Sequence, residues 1–139
     1  MLFPRRCSAL PPLATHLPAP VSTRRYVVFE LVHLETLKSL QNARKKKTKT
    51  VKKTLNPVWE EPVTSWGDIE EDLSLLALKA EAWDGDRLSS DPLGSCVVPL
   101  AHVLGEGIDD WYPLKGMKGL KEGRASGDLR ISVAAFPSA

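Results

Sequence analysis

Apolar and polar residues alternate along much of this chain with a period of two, the period of a half-buried β-strand. Leu76, Leu78, Ala80 and Ala82 fall on one face of such a segment, and Lys79, Glu81 and Trp83 on the other. Asp128 to Phe136 repeats the pattern, with Leu129, Ile131 and Val133 against Arg130 and Ser132. Tyr26-Val27-Val28-Phe29-Glu30-Leu31-Val32 is β-branched and aromatic, the composition a pleated surface favours. Lys47 to Thr54 alternates Lys or Thr with Val, Asn56-Pro57 reads as a turn, and a Trp-containing segment runs from Val58 to Trp66. Leu93 to Leu100 and Trp111-Tyr112-Pro113-Leu114 supply two more strands. Seven short strands separated by turn signals predict an all-β fold, an antiparallel β-sandwich. Glu70 to Leu78 also admits a short helix, because Asp, Glu, Leu and Ala dominate there.

Residues 1–25 read differently. Five prolines (Pro4, Pro11, Pro12, Pro18, Pro20) and four arginines precede the first acid, Glu30. Proline removes a backbone donor and fixes φ, so this stretch is expected to be a disordered Pro/Arg-rich tail. A basic, acid-free start is also compatible with a transit peptide, although the prolines spoil the amphipathic helix a presequence needs. The folded domain is expected from 26 to 139.

Composition adds limits. The chain has 139 residues, 42% hydrophobic and 26% charged, which fits one soluble-type domain. No apolar run is long enough for a membrane-spanning helix. Cys7 and Cys96 are too few for a disulfide framework and lack metal-site spacing, so a reducing, cytoplasmic setting is the expectation. The net charge of +2 conceals a division. Thr36 to Trp59 holds eight basic residues and no acid, whereas Asp68 to Asp91 holds eight acids against Lys79 and Arg87.

Four blocks carry a family resemblance. Lys47-Thr48-Lys49-Thr50-Val51-Lys52-Lys53-Thr54-Leu55-Asn56-Pro57-Val58-Trp59-Glu60-Glu61 resembles the fourth strand and following turn of a C2 domain. Ala82-Trp83-Asp84-Gly85-Asp86-Arg87-Leu88-Ser89-Ser90-Asp91-Pro92-Leu93-Gly94 resembles the family's third calcium loop, and Trp111-Tyr112-Pro113-Leu114 and Gly127-Asp128-Leu129-Arg130-Ile131-Ser132-Val133 resemble its late strands. The blocks keep family order, with the flavour of the modules in protein kinase C, piccolo and certain ubiquitin ligases. The resemblance implies an eight-stranded sandwich whose loops at one end bind calcium and lipid headgroups. The family's two opening strands find no match before Thr23, so the C2 module is expected to lack them. Leu78, Ile131 and Val133 would then lose cover.

Asp84, Asp86 and Asp91 are the candidate calcium ligands. Carboxylates crowded into one loop repel unless a cation joins them, and calcium accepts six to eight hard oxygens in loose geometry. The bland reading is a solvated acidic turn. Two departures weaken the site. Arg24 stands where the family carries an aspartate, and the spacing from Asp86 to Asp91 is one residue short. Three side-chain carboxylates remain where the family has five, so calcium is expected to bind weakly or not at all.

Lys47 and Lys49, two apart on a strand, share a face. The resemblance matches them to a lysine cluster that recognises phosphoinositides, and Trp83 to an aromatic beside it. Lys52 and Lys53 extend the charge, and Arg87 and Leu88 match loop-tip residues that touch headgroups. A solubilising face and a nuclear-localisation-like run are the alternatives; nucleic acid is disfavoured for want of a recognition motif. His33 and His102 lack partners at ligand spacing, and Cys96, Trp59 and Trp111 read as core or rim. No nucleophile elbow, phosphate loop or metal-hydrolase motif occurs, so the chain is not expected to be an enzyme. The function expected is a peripheral membrane-targeting module of signalling or vesicle traffic that binds anionic phospholipids, phosphoinositides among them, with calcium dependence weakened or lost. The rivals are a protein-interaction C2 domain with no lipid ligand, and the non-catalytic fragment of a larger kinase or ubiquitin ligase.

Overall fold

The computed structural model describes residues 2–10, 24–41, 43–52, 57–59, 66–67, 69–85, 90–117, 120, 125 and 127–135, the first of these segments by its backbone alone. Nine strands lie among them: β1 (Leu2–Leu10), β2 (Arg24–His33), β3 (Lys46–Lys47), β4 (Val51–Lys52), β5 (Val58–Trp59), β6 (Leu76–Gly85), β7 (Ser90–Pro99), β8 (Ile108–Pro113) and β9 (Asp128–Ala135). All the strand ladders are antiparallel. One sheet runs β5-β1-β9-β8; the other runs β3-β2-β6-β7, with β4 also on β2.

The period-two pattern sets what faces inward. Val27, Phe29 and Leu31 of β2 lie opposite Ala82, Ala80 and Leu78 of β6, and all six are buried. Leu129, Ile131 and Val133 of β9 close the core from the other sheet. Each such large side chain contributes roughly 1.5–3 kcal/mol on leaving water. The segment that admitted a helix resolves into both readings. Leu73–Leu75 is one turn of 3₁₀ helix capped by the Asp72 carboxylate, which accepts the Ser74 N–H at 2.9 Å, and the strand starts at Leu76.

The expected tail through residue 25 is corrected at both ends. Arg24 and Arg25 already belong to β2, and Leu2–Leu10 is a strand between β5 and β9. The proline that argued against a strand sits at an irregularity: the register with β9 shifts between Pro4 and Arg6, skipping one residue. A bulge is one of the few places a ladder tolerates a missing N–H. One strand therefore precedes β2 where none was expected. Leu78, Ile131 and Val133, expected to be partly uncovered, are 0%, 0% and 1% exposed.

Gly94 adjusts β7 to its surroundings. Its φ is +148°, and a Cβ there would lie 2.8 Å from Leu114 Cβ and 3.1 Å from the Lys115 carbonyl oxygen. The gap lets the chain after β8 close on β7, where Ser95 and Lys115 exchange both backbone hydrogen bonds. Among the described residues, no helix is long and apolar enough to cross a membrane.

Candidate functional site

A buried threonine organises the basic segment. Thr48 is 5% exposed; its N–H donates to the Val27 carbonyl at 2.9 Å, and its hydroxyl oxygen accepts the Val27 N–H at 2.9 Å. With Thr48 pinned inward, Lys47 and Lys49 on either side point to solvent. The alternation expected of one continuous strand holds from Lys47 to Lys49 and then slips by one residue. Lys49 and Thr50 are both exposed, Val51 packs against the core, and the ladder is broken between β3, ending at Lys47, and β4, beginning at Val51. The Lys49 carbonyl accepts both the Thr48 hydroxyl at 2.9 Å and the indole N–H of buried Trp59 at 2.7 Å. Trp66 repeats the device upstream, donating its indole N–H to the Arg44 carbonyl at 2.8 Å. Two indoles thus clamp the backbone that carries the lysines.

The outer face of the five-stranded sheet assembles the rest. Lys47 places its ammonium 4.1 Å from the centroid of the Tyr26 ring, and Tyr26 lies directly opposite Trp83. The Tyr26 hydroxyl donates to the Ser90 hydroxyl at 3.0 Å, linking β2 to β7 across β6. Lys47 and Tyr26 therefore form a cation over an aromatic ring, with Trp83 as the cross-strand neighbour of Tyr26. Lys52 is exposed on β4 opposite Arg24. Lys45 is engaged elsewhere, with its ammonium 3.4 Å from the nearly buried carboxylate of Glu30, which also accepts the Ser39 hydroxyl. Lys53, Arg87 and Leu88 lie outside the described residues.

The calcium-loop end has a different chemistry. Arg25, Asp84 and Asp91 occupy facing positions on β2, β6 and β7, one row across three strands. Asp84 Oδ1 accepts the Arg24 backbone N–H at 2.8 Å, and Oδ2 lies 3.9 Å from Arg25 Nε. The Arg25 side chain is 17% exposed, and its Nε is buried without a hydrogen-bond partner among the described residues. Burial lowers the affinity of that guanidinium for its proton, and the Asp84 carboxylate opposes the change. Asp86 lies outside the described residues. Among those described, no group of three or more His, Cys, Asp or Glu could hold a metal ion.

Residues 10–114 match the C2 domain family. The chain is a C2 domain. It is 37% identical over 93 residues to a probable serine/threonine-protein kinase of Dictyostelium discoideum, covering 65% of this chain and 9% of the kinase. It is 37% identical over 75 residues to Synaptotagmin-5 of Arabidopsis thaliana, covering 53% of this chain and 13% of that protein. The chain thus spans about a tenth of the length of these relatives. A solved C2 domain of plant Extended Synaptotagmin 1 superposes with a TM-score of 0.63 at 18% identity, covering 99% of this chain and 94% of that one.

Within this C2 domain, the residues marked in the sequence separate into two sets. Lys47, Lys49, Lys52 and Trp83 sit about the outer face of one sheet. Asp84 and Asp91 face one another at its end, with a positive charge beside Asp84. The guanidinium of Arg25 lies beside Asp84, and Arg24 contributes its backbone N–H. The reason is strand alternation, which puts Arg25 on the face of Val27 and Asp84. Tyr26 went unmarked as a site residue, although an aromatic at the head of the apolar run was a legible signal.

The described residues do not fit a calcium ion. One carboxylate oxygen of Asp84 is taken by a backbone N–H, and the other faces a tethered cation.

Proposed function

We propose that this C2 domain is a non-enzymatic, peripheral membrane-targeting module that binds anionic phospholipids, phosphoinositides among them, through Lys47, Lys49 and Lys52, with calcium dependence weakened or lost. The observation that carries this reading is the geometry at Thr48. One buried residue, held by two hydrogen bonds to Val27, leaves two flanking lysines exposed, Lys47 over the Tyr26 ring, in a segment without acids. Clustered lysines gain about 1 kcal/mol each near an anionic surface, and a clamped backbone reduces the entropy lost on binding. The test is sedimentation with phosphoinositide-containing vesicles in chelator and in calcium, for the wild type, Lys47→Ala/Lys49→Ala and Asp84→Asn. Binding in chelator that the lysine variant loses supports the reading. Loss in the aspartate variant alone would transfer function to the loop end.

A second reading, a protein-interaction module, has one observation in its favour. Trp111 is 40% exposed on the edge strand β8, opposite Arg130, whose guanidinium makes two 2.9 Å hydrogen bonds to the Asp109 carboxylate. Exposed tryptophan beside ordered charge is a common anchor in interfaces.

A further inference from the structure

Calcium normally serves two ends when carboxylates crowd one loop: it cancels their repulsion and ties the strands that carry them. In this chain both ends are met from within. Asp84 and Asp91 are cross-strand partners, a placement in which like charges destabilise a sheet. On the other flank of Asp84, in the same row, stands Arg25. Its side chain is largely withdrawn from water and reaches within 3.9 Å of Asp84 Oδ2, while the neighbouring Arg24 N–H holds Oδ1 at 2.8 Å. The two arginines therefore secure both oxygens of Asp84 to β2, one through the backbone and one through charge.

The register shift between β6 and β7 falls immediately beside this row, between Ala82 and Trp83. A bulge re-aims the side chains that follow it, and here the pairs that follow include Asp84 with Asp91. Local geometry and charge thus act at the same place.

We propose that Arg25 is a built-in counter-cation for Asp84, replacing an exchangeable metal ion and leaving this end of the domain indifferent to calcium. A guanidinium suits the role. It stays ionised across the physiological range, it is covalently attached, and its positive charge repels a divalent ion approaching Asp84. The inference rests on the calcium-independent part of the function proposed above and identifies the residue responsible.

The consequence is a gain of function on removing one charge. In calorimetric titration with calcium chloride and in thermal melts without lipid, the wild type is expected to show no saturable binding and no rise in Tm up to millimolar calcium. Arg25→Gln keeps most of the volume but loses the charge. It should bind calcium at least tenfold more tightly than the wild type, with a calcium-dependent rise in Tm that a further Asp84→Asn abolishes. Arg25→Lys, which keeps the charge, should remain indifferent. Saturable micromolar binding by the wild type overturns the proposal whether or not any variant folds. So does a folded Arg25→Gln whose titration matches the wild type, or an Arg25→Lys that responds as Arg25→Gln does. Vesicle binding in chelator is measured in parallel. Its loss in Lys47→Ala/Lys49→Ala concerns the lysine face alone, so the two readings fail separately.

Discussion

The indole N–H of Trp59 donates to the main-chain carbonyl of Lys49 at 2.7 Å, joining a core side chain to the backbone of an exposed lysine. Packing in the interior and presentation of charge at the surface are coupled through that bond. Trp59→Phe keeps an aromatic in the core while removing the donor. Stability should fall by about 1 kcal/mol, the usual worth of one hydrogen bond, read as a lower urea midpoint at unchanged slope. Vesicle affinity should fall severalfold although no charge has changed.

The lysine pair itself should have a larger effect. Replacing Lys47 and Lys49 with Ala removes two charges at about 1 kcal/mol each near an anionic membrane, or roughly thirtyfold in affinity. Exposed charges are screened over about 8 Å at physiological salt, so wild-type partition should drop steeply as sodium chloride is raised. The double variant should show a shallower slope. Equal slopes in the two proteins would disconnect binding from these lysines.

Gly94→Ala tests the close approach between β7 and the chain after β8. The new Cβ would meet Leu114 Cβ at 2.8 Å with φ at +148°, and neither atom is the free end of a flexible side chain. A loss of about 1–3 kcal/mol is expected, read as a lower Tm. Gly67→Ala is the control, since nothing lies within 4 Å of a Cβ there. It should change stability by no more than about 0.5 kcal/mol.

Alkaline pH should unfold the domain through Cys96. Burial pushes this thiol up from 9.0 to about 12, because the thiolate would lose its water. A group with a raised folded pKa gives stability that is complete below its unfolded value and is lost as pH climbs through the folded one. The window is therefore pH 9 to 12. Tyr112, raised chiefly by burial and then by Asp110, acts in the same direction. Denaturation midpoints measured from about pH 8 to 11 should fall, and Cys96→Ala should flatten the decline, although it lowers stability at the neutral end.

Most of the sandwich was legible because burial on one face writes a period of two into the residues. β2, β6, β7 and β9 announce themselves through Val27 to Leu31, Leu76 to Ala82, Cys96 to Leu100 and Leu129 to Val133. β1 was hidden because Pro4 and the prolines that follow the strand signal breakage locally, whereas the shift between Pro4 and Arg6 that accommodates Pro4 depends on the distant strand β9. The same limit applied at the loop end. Arg24 and Arg25 are adjacent in sequence, and only the pairing of β2 with β6 determines which one meets Asp84. Lys47 and Lys49 needed no such knowledge, since alternation around Thr48 was enough to place them outward.

The placement of β1 between β5 and β9 bears on how the chain reaches this state. Leu2 pairs with Ala135 and Leu10 with Asp128, so the first strand finds its longest ladder only with the last. Closing a loop of that length precedes any reward from the contacts it makes, which places the domain among slow folders, in the millisecond-to-second range. During synthesis this ladder cannot form until the strand at 128–135 has followed. Until β9 arrives only Cys7 and Ser8 have a strand partner, in β5, so most of Leu2–Leu10 offers unpaired backbone, and a chaperone that shields it would raise the yield of native protein.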